Sequence, residues 1–361
     1  MIFPQRVGTM MWNDAARRAF GMSDGAASMN DLSPEAPAHK GRPKIGLALG
    51  GGAARGWAHI GVLEVLKEAG YAPDVIAGTS IGAVVGGCYA AGKLDALSEF
   101  AATLTKRRVV GLMDFHIGGA GLIAGSRLKR LLERDLTGQR IEELPVRFVA
   151  IATELGTGHE IWLTHGLLVE ALRASYALPG VFDPVRLGGR WLMDGALVNP
   201  VPVTAARALG ADIVICVNLN SDLSGRGTTI QNHSADPDPA PEAPGAEERP
   251  VSRWFGGITG AARRVRGLVG RASSDQPGLA GVMIDAFNIT QDRISRSRLA
   301  GDPPDVMIGP KLARVGLFDF HRADEAVALG RHAAERMLDE IEAVVQSTTL
   351  RRDEAAWHVN R

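Results

Sequence analysis

The sequence predicts an α/β fold, a three-layer sandwich with a mainly parallel central sheet, on three observations. Short apolar runs bounded by glycines alternate with stretches of helical period. The runs are apolar throughout rather than at every second residue, as strands covered on both faces require. The balance of 45% hydrophobic and 22% charged residues is that of a folding chain.

Ile45-Gly46-Leu47-Ala48-Leu49 is the first strand, and His59 to Ala69 is a helix with Val62, Val65, Leu66 and Ala69 on its inner face and Glu64, Lys67 and Glu68 opposite. Asp74 to Gly78 reads as a second buried strand and Ile81 to Ala91 as a helix of small and apolar residues. Strand, helix, strand, helix is the signature of parallel strands joined by right-handed crossovers. Val146 to Ala152 and Ile213 to Asn218 are further strands, with a helix from Leu167 to Ser175 between them. Asp285 to Leu299 and Arg322 to Val345 read as helices around a late strand at 303–308.

The organisation that follows is a poorly ordered arm at 1–42, a catalytic core at 43–220, a Pro-rich acidic insertion at 221–250, a helical part at 251–345 that completes the domain, and a tail at 346–361. Forty basic against forty acidic residues leave no net charge, so nothing global steers the chain to nucleic acid. Cys88 and Cys216 lie in apolar runs and read as small buried hydrophobes, which fits a reducing compartment. With no signal-like leader and no stretch of about 18 uncharged apolar residues, the expectation is a cytoplasmic protein.

Three patterns carry chemistry. Gly78-Thr79-Ser80-Ile81-Gly82 is a Gly-x-Ser-x-Gly set between strand and helix, the arrangement of a nucleophile elbow, although many such matches are structural loops. Gly50-Gly51-Gly52-Ala53-Ala54-Arg55-Gly56 also follows a strand and opens a helix, so its amides are placed to hold an oxyanion. A phosphate cradle would end in Gly-Lys-Ser/Thr, and a dinucleotide turn would have a different glycine register; a turn without a ligand stays open. Asp194-Gly195-Ala196 follows an apolar segment and, alone, reads as a turn former.

A serine nucleophile needs a base, normally His held by a carboxylate, though a carboxylate can accept the proton directly. Of nine histidines, His39, His233 and His358 lie in the arm, the insertion and the tail. His59, His116, His159, His165, His321 and His332 remain, none in a compelling local setting. No His or Cys cluster at ligand spacing points to a metal, and no cofactor is expected.

The glycine loop, the elbow and the later Asp-Gly-Ala together resemble the patatin-like phospholipases. The run from Gly50 to Leu63 is similar to the bacterial branch related to the catalytic domain of neuropathy target esterase. Two further blocks, Arg173 to Phe182 and Asp292 to Asp305, look like parts of that branch. The resemblance implies a patatin-like fold, a Ser-Asp dyad without histidine and hydrolysis of lipid acyl esters, phospholipid or lysophospholipid, through an acyl-enzyme. Carried over, Ser80 is the nucleophile and Asp194 the base, Gly50, Gly51, Gly52 and Arg55 form the oxyanion loop, and Gly78, Gly82, Gly195 and Ala196 complete the motifs. Two other readings use the same residues: an acyltransferase or thioesterase acting through Ser80, and a non-catalytic lipid-binding regulatory module.

Residues 253–271 place Trp254, Phe255, Ile258, Val265, Leu268 and Val269 at helical spacing with Arg263, Arg264 and Arg266 largely off that stripe. Such a stretch fits peripheral contact with a membrane. Packing on the catalytic domain is the competing reading.

Overall fold

The order of elements follows from strands too apolar to face water. A computed structural model describes residues 42–104, 126–222 and 279–359. The arm at 1–41, the stretch 223–250 of the insertion, the basic segment 253–271 and His116 lie outside the described residues. Strands β1 (Ile45–Leu49), β2 (Val75–Thr79) and β7 (Ile213–Val217) are buried at every position. β1 runs at the centre, parallel to β2 on one side and to β7 on the other, and β8 (Val306–Ile308) adds a parallel strand beyond β7.

The two faces of this sheet carry different loads. Ile45, Leu47, Leu49, Ile76, Phe148 and Ile215 point into the larger core, built with α1 (Ala58–Glu68), α2 (Ile81–Ala90), α3 (Leu94–Ala102), α4 (Ser126–Leu136) and α5 (Leu168–Ser175). Ala48, Ala77, Val149, Val214 and Cys216 point the other way, where α6 (Val203–Ala208) and Leu299 of α7 (Leu279–Gly301) cover them. This gives the expected three layers, with a mainly parallel sheet between helices.

β3 (Arg147–Glu154) positions the site because it changes neighbours along one edge. β2 pairs with it from Val75–Arg147 to Thr79–Ile151, in parallel. β4 (Glu160–Leu163) pairs antiparallel across Ala150 to Thr153. β6 (Arg190–Asp194) pairs antiparallel from Asp194–Ala152 to Leu192–Glu154. A strand has two edges, and β4 overlaps both β2 and β6 along β3. β2 and β6 therefore share the edge opposite β4, end to end, and the last residues of both meet beside Ile151 and Ala152. β5 (Val185–Leu187) flanks β6.

Two differences from the sequence expectation concern the C-terminal part. The helix read over 322–345 is two, α8 (Ala323–Glu335) and α9 (Leu338–Val359). The stretch set aside as a tail is thus helical through Val359, and Arg352 is bonded to Asp212 at 2.8 Å. Its exposed residues Arg351 to Glu354 read as a tail but are a solvated helix surface. No helix among the described residues is long and apolar enough to cross a membrane.

Candidate active site

Ser80 sits between the end of β2 and the start of α2 with φ 55° and ψ −123°. Among the described residues it shares positive φ with one other non-glycine residue, Ala53 at φ 49° in the glycine loop. Such backbone costs on the order of 1–3 kcal/mol and persists where the surroundings hold it. At Ser80 the hold is visible. Its N–H donates to Ser175 Oγ at 2.9 Å, and Ser175 Oγ donates to Ile151 O at 2.6 Å, which ties the elbow to β3. The motif glycines are required by contact. A Cβ on Gly78 would lie 2.5 Å from Ala83 Cα, and one on Gly82 2.2 Å from Leu49 O. The turn can close only without those side chains, and it leaves the N-terminus of α2 behind Ser80, where its dipole favours negative charge.

Asp194 ends β6 and caps the short turn Gly195–Leu197. Ser80 Oγ donates to its Oδ2 at 2.7 Å, and Ala196 N–H donates to its Oδ1 at 2.8 Å. The backbone of Asp194 is fixed too, its N–H donating to Ala177 O at 2.9 Å and its carbonyl accepting from Thr153 Oγ1 at 2.8 Å. A Cβ on Gly195 would lie 2.2 Å from Ile151 O, so glycine lets this turn press against β3. Asp194 is 1% exposed. Burial raises its pKa to about 7, against the opposing pull of the hydrogen bonds from Ser80 and Ala196. A carboxylate poised there matches what a proton acceptor working near neutral pH needs.

The glycine loop is placed beside Ser80, but its amides are not equivalent. Gly50 N–H donates to Val217 O at 3.1 Å and Gly51 N–H to Pro200 O at 3.0 Å. The amides of Gly52 and Ala53 have no hydrogen-bond partner among the described residues. The expectation that all three glycines offer open donors is corrected on this point: the Gly50 donor is spent on the last residue of β7 and the Gly51 donor on the Pro200 carbonyl, outside the sheet. Gly51 contributes space instead, since a Cβ there would lie 3.5 Å from Ser80 Cβ and 3.3 Å from Ala196 Cβ. Arg55 is buried, with Nε donating to Val315 O at 2.9 Å and Nη1 to Asn220 Oδ1 at 3.2 Å, which anchors the loop.

His59, on α1, is fully buried and bonded through Nε2 to Gly50 O at 2.8 Å. Burial lowers its pKa to about 4, the Gly50 bond opposing, so the ring is neutral and braces the loop. His159 is exposed beside Glu154 at 3.6 Å, and His165 bonds Thr164 Oγ1 at 2.8 Å. His321 lies in the turn Phe320–Arg322 and His332 on α8. The side-chain partner of Ser80 Oγ among the described residues is Asp194. Ser175, Thr153 and His59 as braces went unrecognised in the sequence, although Ser175 lies inside the block Arg173 to Phe182. Among the described residues no three His, Cys, Asp or Glu side chains gather as a metal site.

The sequence model described as patatin-like phospholipase matches residues 47–207, which span the glycine loop, Ser80 and Asp194. An NTE family protein of Mycobacterium tuberculosis is 35% identical over 349 residues, covering 83% of this chain and 92% of the relative. The chain belongs to the patatin-like phospholipase family, in its NTE branch. A second, longer NTE family protein of Mycobacterium tuberculosis is 31% identical over 302 residues, covering 81% of this chain and 46% of the relative. The Mus musculus protein named patatin-like phospholipase domain-containing protein 6 is 33% identical over 203 residues, covering 52% of this chain and 14% of that one. As a patatin-like phospholipase the chain is a hydrolase, and its family acts on lipid acyl groups.

Proposed function

We propose that this patatin-like hydrolase cleaves carboxylic esters of the phospholipid and lysophospholipid class with a Ser80–Asp194 dyad, through an acyl-enzyme and without a histidine. The 2.7 Å bond from Ser80 Oγ to Asp194 Oδ2 carries the reading, because it pairs a nucleophile on a strained elbow with a buried acceptor. Asp194 takes the Ser80 proton as Oγ attacks the ester carbonyl. The negative oxygen that forms is held by the Gly52 and Ala53 amides, the loop donors left open. Asp194 then gives the proton to the departing alcohol. Water repeats the sequence from the same side, with Asp194 as base, and releases the acid. Arg55 and His59 hold the loop in place for this step.

The test is hydrolysis of lysophospholipid and phospholipid by wild type and by Ser80→Ala, with products identified in the presence and absence of an added acceptor alcohol. Free fatty acid from the wild type alone supports the proposal. Acyl transfer to the acceptor in place of fatty acid would make the chain a transferase, and equal release by Ser80→Ala would remove Ser80 from the chemistry. The reading extends to a cytoplasmic enzyme that meets its substrate at a membrane surface through 253–271, on the strength of the Trp, Phe and Arg pattern there.

A further inference from the structure

α7 brings an unexplained polar group to the site. Gln291 is 4% exposed, on the helix that packs against the Gly195–Leu197 turn. Its side-chain amide has no hydrogen-bond partner among the described residues. The one point in space that a Cβ on Gly51 would occupy lies 3.5 Å from Ser80 Cβ, 3.3 Å from Ala196 Cβ and 3.8 Å from Gln291 Oε1. The amide oxygen, the nucleophile and the turn that Asp194 caps therefore all border one methyl-sized space beside Gly51. The helix is not loosely placed. Further along, the helix carries Arg298, bonded to Glu160 Oε2 at 2.8 Å, and Leu299, packed in the core with Val198. Glu160 in turn accepts from Asn199 Nδ2 at 2.7 Å, and Asn199 O accepts from Thr79 Oγ1 at 2.8 Å, which links α7 to the strand that ends at Ser80.

The side of the site on which Gln291 stands is decided by where the proton must go. Asp194 returns it to the departing alcohol, so the alcohol half of the ester lies next to the Asp194 turn, and the acyl half lies away from it. Gln291 borders that turn. From an amide oxygen that borders the same small space as Ser80 and Ala196, on a side chain with no hydrogen bond to the described residues, we infer that Gln291 is a specificity residue that hydrogen-bonds the alcohol half of the substrate. An amide offers both a donor and an acceptor and no charge, which suits a hydroxyl or ester oxygen on a glycerol-type alcohol more than a phosphate. The inference deepens the proposed ester hydrolysis and rests on it.

The experiment compares two esters of one fatty acid, the glycerol monoester and the ethyl ester, in wild type, Gln291→Met and Gln291→Ala. Met keeps length and helix preference while removing the polar atoms, and Ala guards against a packing effect of Met. The expected result is a loss in kcat/KM that is about tenfold larger on the glycerol ester than on the ethyl ester in both variants, carried mainly by KM, with Gln291→Asn recovering part of it. Equal losses on the two esters would overturn the inference by giving Gln291 a structural or oxyanion role, and so would no loss on either. Failure of the wild type to cleave both esters would instead count against the ester hydrolysis beneath it, which keeps the two failures apart.

Discussion

Thr79 pairs with Ile151 and Asp194 with the next residue of the same strand, Ala152, so the ends of a parallel and an antiparallel strand abut on one edge of β3. That junction is how residues 114 positions apart come to share a 2.7 Å hydrogen bond between Ser80 Oγ and Asp194 Oδ2. The sheet rather than any loop sets the distance, and both side chains are buried. Four consequences can be measured.

The first concerns pH and rate. With Asp194 raised to about 7 by burial, kcat/KM on a neutral ester falls as pH drops through about 7, because a protonated Asp194 cannot accept the Ser80 proton. A rate profile from pH 5 to 9 checks this. A rate that holds down to pH 5 would mean that Asp194 is not the titrating base.

The same group has a stability signature of opposite sense. A carboxyl raised from 3.8 to about 7 binds its proton more tightly folded than unfolded, so its contribution to stability is present below the unfolded value and is lost as pH rises through the folded one. Asp194→Asn keeps the shape, puts a donor NH2 where one acceptor oxygen stood, much as a protonated carboxyl offers a donor there, and cannot ionise. Its melting temperature relative to wild type is expected to be higher at pH 8 than at pH 5. A difference that is the same at both pH values would show that no proton is linked to folding at this position.

His59 separates bracing from catalysis. The ring is neutral, and replacing it with Phe removes the bond to Gly50 O, so the rate is expected to fall about tenfold through a displaced loop, with a loss of roughly 1–3 kcal/mol in stability. The acid limb near pH 7 should survive. Its disappearance in His59→Phe would reassign the titration to this histidine. Since burial lowers the His59 pKa to about 4, its own contribution to stability is held above pH 6.5 and is lost as pH falls toward 4.

Ser175 holds the elbow by accepting from Ser80 N–H and donating to Ile151 O. Ser175→Ala removes the acceptor of the Ser80 N–H and the hydroxyl that donates to Ile151 O, and frees a backbone that is otherwise kept at positive φ. Turnover is expected to drop about 10–10² fold while the pH limb stays in place, since Ser80 and Asp194 are intact. A variant with wild-type kcat would show that the elbow keeps its geometry without this brace.

Much of this was legible in the sequence where one physical rule acts alone. β1, β2 and β7 announce themselves because burial on both faces makes them apolar at every position. Gly78, Gly82 and Gly195 stand out because backbone atoms of Ala83, Leu49 and Ile151 leave them no room for a side chain. The antiparallel end of the sheet was illegible for the converse reason. β5 and β6 are short and expose Arg186, Arg190 and Trp191, so the apolar stretch before Asp194 is too brief to announce a strand, and Asp194 could be seen only as a turn residue after it. The spent amides of Gly50 and Gly51 depend on Val217 and Pro200, far along the chain, and no local pattern carries that. Gln291 reaches the site only through the packing of α7 on Gly195–Leu197.

The most direct measurement is labelling with a fluorophosphonate, an electrophile that a reactive serine attacks, followed by mapping of the modified peptide in wild type and Asp194→Asn. The adduct is expected on Ser80 in the wild type, with labelling slowed at least about 10³-fold in Asp194→Asn although that variant stays folded. An adduct on another residue, or labelling of Asp194→Asn at the wild-type rate, would contradict a Ser80 nucleophile activated by Asp194.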